Sequence, residues 1–98
     1  MKEEIRQLLK SQIEDDVILG IILWVKEFGL SSLSRELYNI SIKIFSQRIW
    51  LYNKEGWVHL SYKYKNVNYW GTKIGSSYEE NLKSFEYFKE TGHRVIEL

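Results

Sequence analysis

The sequence predicts one α+β domain, and three observations lead to this prediction. The chain has 98 residues, 44% hydrophobic and 15% aromatic, which is enough for one packed core of ordinary size. Its first half shows the spacing of amphipathic helices, whereas apolar and polar residues alternate with a strand period from Trp57 onward. Ser77 and Glu80 then have the spacing of a capping box, which predicts a further helix.

Composition excludes several classes of protein. The chain has no Cys, so a disulfide framework and a thiolate metal site are ruled out, and its two histidines predict neither metal nor cofactor. No nucleophile or phosphate-loop motif is present, so we expect no enzyme activity. The apolar stretch 17–25 would rise only about 13.5 Å as a helix, against a bilayer core of about 30 Å. With no signal-peptide pattern, these features predict a soluble, cytoplasmic protein.

Two helices are predicted at the start of the chain. The first covers residues 2–14, where four apolar residues form one stripe: Ile5, Leu8, Leu9 and Ile13. The second covers about 16–28, with Asp15 or Asp16 as its cap and Gly29 at its end. This second helix is apolar nearly all round, so either the rest of the chain or a second copy must cover it.

A helix-turn-helix pattern follows. Ser31 or Ser32 can cap a short helix that carries Leu33 and Leu37, and residues 39–41 form a turn in which Ile40 is a buried plug. The spacing then predicts a longer helix from near Ser41 to before Gly56. Three of its apolar residues lie on one face at 100° per residue, namely Phe45, Ile49 and Tyr52. The opposite face carries Lys43, Gln47, Trp50 and Lys54.

The second half predicts a hairpin, a helix and a short strand. Residues 57–64 and 69–74 have strand patterns on either side of a turn at Lys65-Asn66. The capped helix after Ser77 ends at Gly92, and residues 94–98 can add a last strand. The inward residues of this helix are Leu82, Phe85 and Phe88.

Residues 16–74 resemble the winged helix-turn-helix regulators of the MarR/ArsR kind. The resemblance rests on these residues: Glu36-Leu37, Asn39-Ile40-Ser41, Phe45, Ile49, Tyr52 and Lys54-Glu55-Gly56-Trp57-Val58. It implies a winged helix with an extra N-terminal helix (1–14) and a C-terminal helix and tail (77–98). It departs from the family pattern at Trp50 and Leu51, where charged residues are usual.

This resemblance implies sequence-specific binding of double-stranded DNA by a homodimer that regulates transcription, in a microbe, plasmid or virus. The recognition helix would lie in the major groove, with Lys43, Ser46 and Gln47 at base edges. Arg48 would contact a phosphate or form an internal ion pair. The full set of expected DNA-binding residues is Ser41, Lys43, Ser46, Gln47, Arg48, Lys54, Lys63, Lys65, Asn66 and Asn68.

The distribution of charge supports DNA binding better than the total does. The formal net charge is +1, but residues 41–75 hold six basic residues against Glu55 alone, a local charge of +5. The remainder of the chain carries −4. Such asymmetry is typical of an electrostatic footprint for nucleic acid.

A second resemblance covers the same strands. Four segments are similar to the three-stranded sheet and helix of plant ethylene-response factors and integrase arm-binding domains: Trp57–Leu60, Lys65-Asn66, Tyr69–Thr72 and Tyr78-Glu79-Glu80. In that interpretation residues 49–52 form an extra strand and the sheet enters the major groove. Lys63, Lys65 and Lys73 would then dominate binding and Gln47 would be irrelevant, although the arginines that this family uses are missing.

Two further alternatives remain open. The chain could be a small phage or plasmid protein that binds or inhibits another protein, for which exposed Trp50 and Leu51 would provide a partner surface. The aromatic residues of the hairpin, including Tyr62 and Tyr64, could instead stack on single-stranded nucleic acid.

Overall fold

A computed structural model of the chain describes residues 1–40, 48–64 and 67–98, with the backbone alone for 61–64 and 67–69. The described elements are, in order, α1 (Lys2–Leu9), α2 (Glu14–Phe28), α3 (Leu30–Asn39), β1 (Ile49–Asn53), β2 (Gly56–Tyr64), β3 (Val67–Ile74), α4 (Tyr78–Glu90) and β4 (Arg94–Glu97). Helices and strands are both present, so the predicted α+β class is confirmed. The chain divides into two compact units, residues 1–44 and 45–98.

The first unit contains three helices packed around apolar side chains. Its fully buried residues include Leu9, Ile21, Trp24 and Leu33. The first helix ends at Leu9 and not at residue 14, because Ser11 interrupts it: its hydroxyl accepts a hydrogen bond from the Ile13 amide and donates one to Asp16. Local side-chain bonds of this kind compete with the helical backbone pattern.

Three further features join the helices of this unit. Gly29 lies between α2 and α3 with φ of 85°, a conformation that L side chains rarely adopt, as the sequence predicted for the end of α2. Ser32 does not cap α3; its hydroxyl accepts a hydrogen bond from the Trp24 indole. The Arg6 guanidinium of α1 pairs with the Glu36 carboxylate of α3. Ile40 follows α3 and is buried, as predicted.

The second unit is a four-stranded sheet with one helix. The strand order is β3-β2-β1-β4, with antiparallel pairing from β3 to β1 and parallel pairing between β1 and β4. The β1–β2 turn is short because Asn53 pairs with Gly56, and the Asn53 side-chain oxygen accepts hydrogen bonds from the amides of Glu55 and Gly56. The predicted strands 57–64 and 69–74 correspond to β2 and β3.

The helix predicted from Ser41 to before Gly56 is wrong from Ile49 onward, because residues Ile49–Asn53 form strand β1. Its earlier part, residues 41–47, lies outside the described residues. Ile49 and Tyr52, which were expected to share one helix face, lie on opposite faces of the sheet, since neighbouring positions of a strand alternate. β1 is instead the extra strand that the three-stranded-sheet interpretation required.

The helix α4 carries the chain across the sheet. Because β3 and β4 lie at opposite edges, the connection must span three strand spacings, about 14 Å, and a 13-residue helix is about 20 Å long. Its predicted cap is confirmed: the Ser77 hydroxyl accepts a hydrogen bond from the Glu80 amide. Phe85 of α4 is buried and stacks on Tyr52 of β1, with 4.4 Å between the ring centroids.

The close approach of β3 to Gly56 gives a prediction about stability. A Cβ at Gly56 would lie 1.8 Å from the backbone oxygen of Lys73, so we expect Gly56→Ala to lower the free energy of unfolding by about 2–4 kcal/mol. The matched control is Gly71→Ala in β3, where a Cβ meets no atom within 4 Å. Urea unfolding of the three proteins checks this, and equal midpoints for both variants would contradict it.

Candidate nucleic-acid interface

The hairpin of β2 and β3 extends beyond the rest of the sheet. Among the described residues, β1 pairs with β2 only as far as Leu60, after which β2 and β3 pair only with each other. We call the described residues 61–64 and 67–69 the ribbon. Its register is irregular between Leu60 and Lys63, and Tyr64 pairs with Val67 at its far end. We call the end of the sheet where the ribbon extends the ribbon end, and the end with the β1–β2 turn the turn end.

The dimensions of the ribbon suit a DNA groove. From Leu60 to Tyr64 it extends about 13 Å at about 3.3 Å per residue, and two paired strands are about 4.8 Å apart. The major groove of B-DNA is about 12 Å wide and about 8.5 Å deep, and it admits a two-stranded ribbon. The backbone geometry is therefore compatible with insertion of the ribbon into that groove.

Two arginines lie beside the root of the ribbon. Arg48 directly precedes β1, Arg94 begins β4, and both are exposed. The backbone amide of Arg94 donates a hydrogen bond to the carbonyl oxygen of Arg48, with 3.0 Å between nitrogen and oxygen, so the parallel pairing of β1 and β4 holds the two residues together. His93 precedes Arg94 at the same end. The ribbon end therefore gathers basic residues from distant parts of the sequence.

The pKa of His59 is lowered both by burial and by positive charge at this end. Burial, which is the largest cause, and the charges of Arg48 and His93 together lower the pKa of His59 from 6.5 to about 4. A cation near a histidine disfavours its protonated form, whereas a nearby carboxylate would favour it. Arg48 and His93 therefore add to the effect of burial on this residue.

The structure separates the predicted site residues into three groups. Lys63 and Asn68 are paired across the ribbon, and Arg48 lies at its root. Lys54 lies in the β1–β2 turn at the opposite end, about 26 Å along β2 from Tyr64, and not on a helix face as expected. Six predicted residues lie outside the described residues: Ser41, Lys43, Ser46, Gln47, Lys65 and Asn66.

Arg94 is a candidate that sequence reasoning missed. Strands that pair in parallel are far apart in the sequence. No residues near Gly92 indicated that the strand after it would pair with β1. The signal that could have found it is the sequence of β1 itself. When the residues of a strand are apolar without a break, other elements must cover both of its faces, and the strand is expected to pair with a neighbouring strand at each edge.

The part of the sheet that includes β1 presents no polar face to a groove. Trp50 and Tyr52 face α4, and their cross-strand neighbours on the same face are His59 and Trp57. The other face carries four apolar residues that are at most 1% exposed: Ile49, Leu51, Val58 and Leu60. These apolar side chains cannot form hydrogen bonds with base edges. They therefore do not support insertion of the whole sheet into the groove, which the second resemblance implied.

The exposed partner surface expected at Trp50 and Leu51 is also wrong. Leu51 is 0% exposed, and the Trp50 ring stacks on both His59 and Phe88. The observation that favoured a protein-binding module over a DNA-binding one is therefore removed. Among the residues of this end whose burial is described, Arg48 and Arg94 are exposed.

Comparison with protein-family models, with curated proteins and with solved structures finds no match. Within the described part of the chain, no helix is both long and apolar enough to cross a membrane. The same residues contain no group of three His, Asp or Glu side chains that could hold a metal ion.

The buried face of β1 predicts the effect of an added charge. We expect Leu51→Lys to lower the free energy of unfolding by about 3 kcal/mol or more, because an ammonium group would be buried without a partner. Ile74→Lys is the matched control, since Ile74 lies in the same sheet and is 47% exposed. Urea unfolding should leave this control within about 0.5 kcal/mol of the wild type. Equal stability of both variants would contradict the assignment of this face as core.

Proposed function

We propose that the protein binds double-stranded DNA through the ribbon and the two arginines at its root, without catalysis. The observation that carries this proposal is the geometry of the ribbon end: a two-stranded hairpin that extends past β1, with Arg48 and Arg94 beside it. Proteins use such ribbons to read either groove of DNA, while flanking arginines hold the phosphates.

Charge along the chain supports this proposal. Between Glu55 and Glu79 the sequence contains no acidic residue, whereas Lys63 belongs to the ribbon and Lys65 follows Tyr64 in the sequence. DNA carries one negative charge per about 1.7 Å of its axis, so a groove-binding segment with carboxylates would be repelled. Asn66 and Asn68 add amide groups that can donate and accept hydrogen bonds at base edges.

The proposal keeps one part of the winged-helix interpretation and replaces another. The ribbon takes the place of the wing, which that interpretation put against the backbone or minor groove. Any recognition helix must end before Ile49, so only residues 41–47 can contribute to it, among them Lys43 and Gln47. The regulatory role, with transcription as its target, follows from the resemblance and stays part of the proposal.

The test removes two ribbon charges. We expect Lys63→Ala/Lys65→Ala to weaken binding to all duplexes similarly and to reduce the slope of log K against log salt by about 2, because each lysine would neutralise one phosphate. The matched control is Lys10→Ala/Lys26→Ala, which removes two exposed charges from the first unit. Gel-shift titration at two salt concentrations, with duplex and single-stranded DNA in parallel, measures both quantities.

The outcomes distinguish the possible modes of binding. Salt-dependent duplex binding that only the ribbon variant loses supports the proposal. If Lys43→Ala/Gln47→Ala alone relaxes sequence preference, bases are read by residues 41–47 and the ribbon contacts only the backbone. Preference for single strands would favour stacking by the hairpin aromatics. No salt-dependent binding to any duplex would overturn the proposal and favour a protein-binding module.

A homodimer is part of the proposal, since two copies could place two DNA-contacting elements about one helical turn apart. The helix α2 supports it, because Leu19 is 46% exposed beside half-buried Ile22 and Leu23. We expect sedimentation equilibrium at micromolar concentration to give twice the chain mass of 11.8 kDa. Leu19→Glu should give a monomer, whereas the control Tyr38→Glu, at an 82% exposed residue of α3, should not. A wild-type monomer would contradict this part.

A further inference from the structure

Both histidines of the chain belong to one cluster of stacked rings between the sheet and α4. Trp50 of β1 stacks on His59 of β2, with 3.9 Å between ring centroids and 11° between planes. Phe88 of α4 stacks on Trp50 at 4.6 Å and on His93 at 5.1 Å, with interplanar angles of 9° and 15°. We call these four residues the ring stack. It joins β1 and β2 to α4 and to the turn before β4.

A hydrogen bond within the ring stack depends on the protonation of His93. The Trp50 indole N–H donates to Nδ1 of His93, with 3.0 Å between the nitrogens. An indole can only donate, so Nδ1 must be unprotonated. When the imidazole becomes charged, both of its nitrogens carry hydrogen, and this bond cannot form. Protonation of His93 would therefore place two donors against each other.

His59 is also poorly suited to carry a charge. Its Nε2 atom is buried and has no hydrogen-bond partner among the residues that the structure describes. Protonation would put a hydrogen on this nitrogen without an acceptor, which is a costly arrangement for a charged group. The remaining ring surface is covered in part by Trp50, and the residue as a whole is half-buried.

The groups around His59 do not compensate a positive charge. Burial is the largest cause of its lowered pKa of about 4, and the charges of Arg48, before β1, and His93, after α4, lower the pKa as well. On β3 its cross-strand neighbour is Gly71, and the next residue on that face is Lys73. The helix contributes the uncharged rings of Phe85 and Phe88 to this cluster, and the charge of Glu86 acts on Tyr52.

Among the described residues, the other contacts of α4 with the antiparallel strands include those of the Phe85 and Tyr78 rings with Tyr52, with centroids 4.4 and 6.4 Å apart. Phe85 is its one buried residue among those described. Its first residue, Tyr78, donates a hydrogen bond from its hydroxyl to Glu97 of β4, so that contact joins α4 and β4 rather than α4 and the antiparallel strands. A helix held by so little buried surface belongs to the part of a protein that opens first.

We propose that the ring stack is an acid-sensitive joint: protonation of His59 and His93 releases α4 and β4 from the three antiparallel strands, which remain paired. Release of β4 also requires its parallel pairing with β1 to break, and the two elements would leave together because the Tyr78–Glu97 hydrogen bond links them directly. Release would separate Arg94, on β4, from Arg48 at the root of the ribbon. The inference concerns the fold and holds whether or not the protein binds DNA.

The direction of the pH effect follows from proton linkage. The open state binds a proton on His59 near pH 6.5, whereas the closed state binds it only near pH 4. The closed state is therefore fully favoured above about pH 6.5 and loses stability as the pH falls toward 4. Because solvent reaches part of the ring, we expect the closed-to-open ratio to fall on the order of tenfold between pH 7.5 and pH 5.

Amide hydrogen exchange followed by NMR on the full chain tests this inference. After correction for the intrinsic pH dependence of exchange, α4 and β4 amides should lose protection as the pH falls from 7.5 to 5, while β2 amides keep it. The Trp50 indole N–H should follow α4. Since the chain has two histidines, no other side chain titrates in this range at its ordinary pKa.

The matched variants keep the shape of the ring stack and remove its titration. His59→Phe retains a flat ring against Trp50, and His93→Asn retains a short side-chain acceptor for the indole. The double variant should hold α4 protection constant from pH 7.5 to 5, and each single variant should lose part of the response. Unchanged pH dependence in the double variant, or equal loss of protection in β2 and α4, would overturn the proposal.

A direct measurement in the wild type does not depend on the variants. The ring resonances of His59 should show a neutral imidazole down to about pH 5 for as long as α4 remains protected. Titration of the His59 ring near pH 6.5 in the closed state would overturn the proposal, because the closed state would then tolerate the charge.

Discussion

The pairing of β1 on both of its edges determines the architecture of the second unit. This strand has only five residues, yet it pairs antiparallel with β2 and parallel with β4. A parallel partner requires a crossover, and α4 provides it by spanning the sheet from the β3 edge to the β4 edge. The face of β1 that meets α4 must then be aromatic and apolar, which Trp50 and Tyr52 supply. The ring stack and the root of the ribbon both result from this one strand.

Local signals in the sequence predicted most elements, because each depends on residues near in the chain. Ser77 and Glu80 identified the start of α4, and Gly29 identified the end of α2. The alternation after Trp57 identified β2, whose pattern is visible because its polar and apolar positions differ. In a hairpin with one exposed face, polar residues alternate with apolar ones, so the strand period is visible in the sequence. A strand that is covered on both faces lacks this alternation.

The sequence could not distinguish β1 from a helix for a physical reason. Both faces of this strand are apolar, so period-two alternation is absent, and the positions of Phe45, Ile49 and Tyr52 also fit a helical face. Tertiary pairing with β4 decided the conformation, and β4 lies about 45 residues further along the chain. The same mistake changed the predicted site. Lys54 was assigned to a helix face, and Arg94 was not considered because only the pairing of β1 with β4 makes it a neighbour of Arg48.

The near-neutral total charge does not describe the electrostatics of this fold. The ribbon end and the turn end are about 26 Å apart along β2, whereas the Debye length is about 8 Å at physiological ionic strength. The two arginines lie at the root of the ribbon and so nearer to the turn end: Glu97 is three residues from Arg94 along β4, about 10 Å or little more than one Debye length. The far end of the ribbon at Tyr64 is about three Debye lengths from the turn end. A phosphate group at the ribbon end would meet the local excess of positive charge, whatever the sum over the whole chain.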